Sequence, residues 1–160
     1  MRKHNEDYEA CVSDLTRHDD IKRLNGFTQH LNTSRLEHCV NVSYFSYLIC
    51  KKLGWDHRSA ARAGLLHDFY HYDWRTQTHT EERHTSAHPK AALENAKKIT
   101  PLNEIEADAI INHMWPLTFS LPKYRESYVV NLMDTFCAAY EFAAKFFIFL
   151  NRSRPQPQGL

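Results

Sequence analysis

Between Arg35 and Leu53 the apolar residues Leu36, Val40, Val42, Phe45, Leu48, Ile49 and Leu53 return at helical rather than alternating spacing. Most of the chain repeats that period between capping residues, and strand signals are weak. Thr33 or Ser34 can cap this first strong helix, and Gly54 stands where a helix C-terminus favours a left-handed residue. Asp56 offers the N-cap of a second helix, HRSAARAGLLHD, running to about Asp68. Residues 72–86 are polar and aperiodic, which predicts a surface loop near whatever the protein binds and makes it a candidate lid. A helix starting around Ala87–His88–Pro89 uses proline in its first turn and is closed by Pro101. Asn103 and Glu106 form a capping-box start for EIEADAIINHM, which Pro116 ends. A long helix covers Arg125 to Phe149. One further helix, VSDLTRHDDIKRL, is predicted within the first 25 or so residues, and the Pro-rich tail at 151–160 frays. The fold class is all-α: a single domain over 1–160, with its core at about 30–145 and about six to seven helices.

Composition narrows the function. The 160 residues are 42% hydrophobic and 24% charged, the balance of a globular domain. Lys+Arg 20 against Asp+Glu 19 leaves a net charge of +1, so no nucleic-acid partner is expected from charge. The N-terminal stretch has no apolar core of a secretory signal. Glu141 and Lys145 interrupt the longest apolar stretch, Cys137 to Leu150, which reads as a buried or partner-facing helix and not as a membrane span. The aromatic run Tyr140, Phe142, Phe146, Phe147 and Phe149 is expected in the core, or as the face of a homodimer. Cys11, Cys39, Cys50 and Cys137 form no CxxC pair and read as reduced, packed thiols of a cytoplasmic protein.

Histidine is the outlier, with 11 residues against Gly 4 and Met 3. On the helix map His38 lies in a first turn, His67–Asp68 end the next helix, His88 opens another, His113 ends the one after, and Asp134 lies in the last. Each successive helix thus contributes a metal-capable group, several at helix ends where side chains converge. Adjacent residues point about 100° apart on a helix, so His67 and Asp68 reach one site only from an end. A carboxylate has two oxygens, which suits Asp68 to bridging two ions. Four imidazoles and two carboxylates suit Fe, Mn, Co, Ni or Zn better than Mg or Ca. Trp115–Pro116 reads as packing at a helix end or as a pocket wall, and His57, His79 and His84 as solvated.

The run SRLEHCVNVSYFSYLICKKLGWDHRSAARAGLLHDFYHYDW resembles the core of the HD-domain superfamily: a His, a later His–Asp doublet and a much later Asp on a long helix, here His38, His67–Asp68 and Asp134. The resemblance covers roughly residues 30–145, with GLLHD its most specific element. AHPKAALENAK is similar to the His-Pro helix start of the branch containing HD-GYP phosphodiesterases, and INHMWP occupies the place of its next His motif. No GYP motif follows, and Phe69–Tyr70–His71 stand where many members carry Gly and Lys. The resemblance implies an HD-like helical bundle holding two divalent transition-metal ions. One would be bound by His38, His67, Asp68 and Asp134, and the other by Asp68, His88 and His113. It implies a phosphohydrolase using metal-activated hydroxide on a nucleotide-like phosphomonoester or phosphodiester, with Asp68 and His67 catalytic. Arg35, Lys90 and His71 or Arg75 are expected to hold the phosphate. The alternatives are a mixed-valence di-iron oxygenase with the same ligand order, and a nucleotide-sensing domain with little turnover.

Overall fold

The computed structural model describes residues 2–30, 33–73 and 83–152. Local capping explains most of its helix boundaries. The Ser34 hydroxyl accepts the Glu37 N–H at 3.2 Å, and Gly54 closes the other end at φ 68, so α3 (numbered in chain order) spans Arg35–Leu53. Asp56 accepts the Ser59 N–H at 3.0 Å and starts α4, His57–Leu66, whose C-cap is His67. Asn103 and Glu106 form a reciprocal capping box at the head of α6, Glu104–Asn112. The last helix, α7, runs Arg125–Arg152, slightly beyond the expected end.

Elsewhere the chain departs from the expectations. The single N-terminal helix is two, α1 (Arg2–Thr16) and α2 (Asp19–Lys22), because His18 turns extended and its Nδ1 accepts the Asp20 N–H. A 3₁₀ turn, Arg23–Gly26, leads into β1 (Thr28–His30), which pairs antiparallel with β2 (Thr33–Ser34) across an irregular register. Helix α5 spans His84–Ile99 and begins before Ala87, since the Ala87 N–H reaches the Arg83 carbonyl at 3.0 Å. Residues 84–86 of the expected loop are therefore helical. The expected lid otherwise falls largely on 74–82, and the tail on 153–160, both outside the described residues.

Helix α4 is the central rod. Every residue from Ser59 to Leu66 is buried, and α1, α3, α6 and α7 pack around it. On one side lies a core of Val12, Leu15, Leu24, Tyr47, Leu65 and Phe69; on the other are Val42, Cys50, Ala63, Val130 and Cys137. Gly64 lets α3 and α4 approach closely: a Cβ there would meet the Ser43 Cα at 2.7 Å. Buried Arg62 ties the bundle together through Glu106 at 3.0 Å, Asp14 at 2.7 Å and Thr100 at 2.8 Å. All four cysteines are free and buried. Tyr140 and Phe142 are exposed on α7, contrary to a core placement. No helix among the described residues is long and apolar enough to cross a membrane.

Candidate metal centre

Helix ends bring the four histidines and Asp68 together, and the interior of α7 adds Asp134. His67 and His113 are the C-caps of α4 and α6, His88 lies at the start of α5 beside Pro89, and His38 is in the first turn of α3. Two clusters result, His38–His67–Asp134 and Asp68–His88–His113, each with its ligand atoms within 4.8 Å of one another. Asp68 lies between them. Its Oδ1 is 3.3 Å from His88 Nε2 and 3.6 Å from His113 Nε2, while its Oδ2 is 3.7 Å from His67 Nε2. In the other cluster, Asp134 Oδ1 is 2.9 Å from His38 Nε2 and 3.6 Å from His67 Nε2.

The outward nitrogens fix the ring orientations. His67 Nδ1 donates to the Gly64 carbonyl at 2.8 Å, His88 Nδ1 to the His84 carbonyl at 2.7 Å and His113 Nδ1 to the Ile110 carbonyl at 2.8 Å. With the proton on Nδ1, the neutral rings of His88 and His113 turn their Nε2 lone pairs inward. His88 and His113 then face each other Nε2 to Nε2 at 2.8 Å. Burial lowers His88 from 6.5 to about 3 and also lowers His113, so protons are poor occupants of that cluster. Two lone pairs at that distance, with Asp68 Oδ1 lacking a hydrogen-bond partner among the described residues, make a donor set that fits a cation.

The first cluster has the opposite character. Burial opposes charge on His38, but hydrogen bonds to Asp134 and Glu141 outweigh it and raise the imidazole from 6.5 to about 10. His67 is likewise raised, against its burial, chiefly by Asp68. Asp68 and Asp134 stay ionised: burial works against both, and the surrounding imidazoles hold them well below the usual carboxylate range.

Above the clusters opens a cavity of about 520 Å³. Asp68, His88, His113 and Asp134 form part of its wall, and Trp115 and Leu117 give it an apolar side. Trp115–Pro116, which the sequence offers either as packing or as a pocket wall, lines the cavity. So does His84, expected in solvent: the extra turn of α5 stacks its ring on His88 with centroids 4.5 Å apart.

None of the described groups expected to hold phosphate lines the cavity. Arg35 is fully buried; it donates to Gln29 Oε1 at 2.9 Å and to the Tyr70 carbonyl at 2.6 Å, and stacks 3.6 Å over the Tyr70 ring. Lys90 is exposed, and its two-residue offset from His88 turns it about 200° around α5. His71 is exposed and reaches the Asp20 carbonyl at 2.9 Å. Arg75 lies outside the described residues.

Two residues at the site went unread in the sequence. Buried Gln29 accepts from Arg35 and donates its amide to Asp68 Oδ2, so its orientation is dictated by a partner that can only donate. Glu141 had stood out only as an interruption of an apolar stretch, although its place seven residues after Asp134 puts both on one face of α7.

An all-α bundle whose helices carry two imidazole–carboxylate clusters, each able to hold a metal ion, defines the class of this protein. The HD domain family matches residues 35–139, and the chain belongs to that family. HD domains are in general metal-dependent phosphohydrolases. No curated protein and no solved structure matches the chain.

Proposed function

We propose that this protein is a metal-dependent phosphohydrolase acting on a small phosphate ester, nucleotide-like in size, inside the cavity above the two clusters. The observation that carries the reading is the convergence of four imidazole edges on two ionised carboxylates at the cavity wall. His38, His67, Asp68 and Asp134 would hold one divalent ion, and Asp68, His88 and His113 a second. Bound there, such ions supply a nucleophilic water at neutral pH and neutralise charge growing on the phosphoryl oxygens.

The chain's own groups do the rest. Asp68, held by Gln29 at Oδ2, keeps Oδ1 toward His88 and His113 and orients the attacking water. Arg35 acts through Gln29 and not by touching phosphate. Trp115 and Leu117 cover the organic part of the substrate and exclude bulk water, while Asn131 and Thr135, whose hydrogens go to backbone carbonyls, offer it acceptor oxygens. Hydrolysis forms a bond from water oxygen to phosphorus and breaks the ester P–O bond; the water's proton leaves on the departing alcohol. A cavity of about 520 Å³ accommodates a nucleoside phosphate.

The test loads the purified protein with Mn, Co, Ni or Fe and offers phosphomonoesters, nucleotides and cyclic dinucleotides. Phosphate release that disappears with Asp68→Ala is the expected result. Coupled iron that consumes O₂ without releasing phosphate would overturn the reading in favour of an oxygenase.

A further inference from the structure

Three of the four inward-facing imidazoles are backed alike, and the fourth is not. His67, His88 and His113 each donate Nδ1–H to a carbonyl three or four residues back in their own helix. His67 and His113 cap helix C-termini, where carbonyls lack intrahelical donors. His38 sits at the opposite kind of end. His38 lies in the first turn of α3 and, unlike His88, which reaches back to the first carbonyl of α5, turns its Nδ1–H to an acceptor on another element.

Glu141 is that acceptor. It lies 7% exposed on α7, two turns beyond Asp134, with Oε1 3.1 Å from His38 Nδ1. One face of α7 thus grips both edges of the ring, Asp134 at Nε2 and Glu141 at Nδ1. Glu141 Oε2 has no hydrogen-bond partner among the described residues, so the imidazole contact is what the structure shows for this buried carboxylate. Burying a carboxylate with so little compensation is costly in a packed core. We infer that Glu141 is a positioning residue for the metal centre: it keeps a proton on His38 Nδ1 and thereby turns the Nε2 lone pair toward the ion shared with His67 and Asp134. It touches neither ion nor substrate.

The inference rests on the metal reading above, and its experiment separates the two. Metal-stripped wild type, E141L, E141D and E141Q are titrated with Co²⁺ alone, followed by calorimetry and the visible spectrum, with circular dichroism of each stripped protein checking the fold. E141L removes the acceptor. E141D keeps the charge but withdraws the carboxylate by one methylene, in a variant less disturbing to the core. Both should weaken the ion held by His38 about 10- to 100-fold and alter its ligand-field bands. E141Q can still accept from Nδ1–H and should retain affinity within about threefold of wild type. Wild-type affinity in E141D and E141L, or an E141Q as weak as they are, overturns the inference while leaving the metal reading intact. Wild type that binds no Co²⁺ overturns both.

Discussion

Gly64→Ala sets two opposing effects against each other, and distances decide between them. Inside a helix, alanine is favoured over glycine by about 1 kcal/mol. At this position, however, the new Cβ would stand 2.7 Å from Ser43 Cα, 2.9 Å from Ser43 N and 3.2 Å from the Val42 carbonyl carbon. All three atoms are backbone, so no rotamer change relieves the clash. Ordinary contact begins at 3.4 Å, which requires α3 and α4 to separate by about 0.7 Å. The Ser43 Oγ to Ala61 carbonyl bond, 2.6 Å, spans the same interface and would be stretched. Overpacking of this kind costs about 1–3 kcal/mol, and rigid backbone on both sides puts it at the upper end. After the helix gain, the net loss is about 2 kcal/mol, or a Tm lower by about 4–8 °C for a chain of this length. Because α3 carries His38 and α4 positions His67, whose ring centroids are 5.5 Å apart, metal affinity should fall as well. Urea and thermal unfolding of the stripped protein measure the first effect, and metal titration the second. A variant as stable as wild type, or more stable, would refute the close-packing argument.

Other expectations follow from the same contacts. Arg62→Ala should destabilise the fold by about 3–5 kcal/mol in urea titrations, because it leaves the Glu106 carboxylate buried without its guanidinium. Gln29→Leu removes a donor from Asp68 and an acceptor from Arg35 and should lower phosphohydrolase kcat about 10- to 100-fold; metal content measured alongside tells whether ion binding or orientation is lost. Lys90→Ala should leave kcat/KM unchanged, since Lys90 lies outside the cavity wall, and a rise in KM would contradict that placement. The stability of the metal-stripped protein should peak near pH 6.5, as unfolding midpoints from pH 4 to 10 would reveal.

How much of this was legible depended on how local each signal was. Ser34, Gly54, Asp56 and Asn103 announced helix ends because a cap bonds within three or four residues of itself. The one-per-helix order of His38, His67–Asp68, His88, His113 and Asp134 was visible for the same reason, since it needed only the helix boundaries. Long-range contacts were not. Arg35 looked like a phosphate ligand because it shares a face with His38, but its guanidinium turns to Tyr70, 35 residues away. Gln29 comes to Asp68 only through the short β1–β2 pairing, which has no periodic signature in the sequence. Glu141 meets His38 across 103 residues, although its phase with Asp134 on α7 was available in the numbering.

The predicted stability peak arises because the two clusters respond oppositely to protons. His88 drops from 6.5 to about 3 and His113 is lowered too, so between about 3 and 6.5 the unfolded chain takes up protons that the fold refuses. Stability there rises with pH, by up to about 1.4 kcal/mol per unit for each group. His38 is raised from 6.5 to about 10, and His67 is also raised, so above 6.5 the fold retains protons that the unfolded chain has released. Both contributions are fully present below 6.5 and are lost as pH rises above it, that of His38 as pH climbs through about 10. The lowered carboxyls of Asp68 and Asp134 add a loss only on the acid side, below 3.8 for Asp134. An ion in the first cluster must displace these protons, since His38 cannot keep a proton on Nε2 and also offer its lone pair there. Metal loading should therefore erase the alkaline limb of the profile, and its persistence in protein shown to contain metal would place the ion somewhere other than between His38, His67 and Asp134.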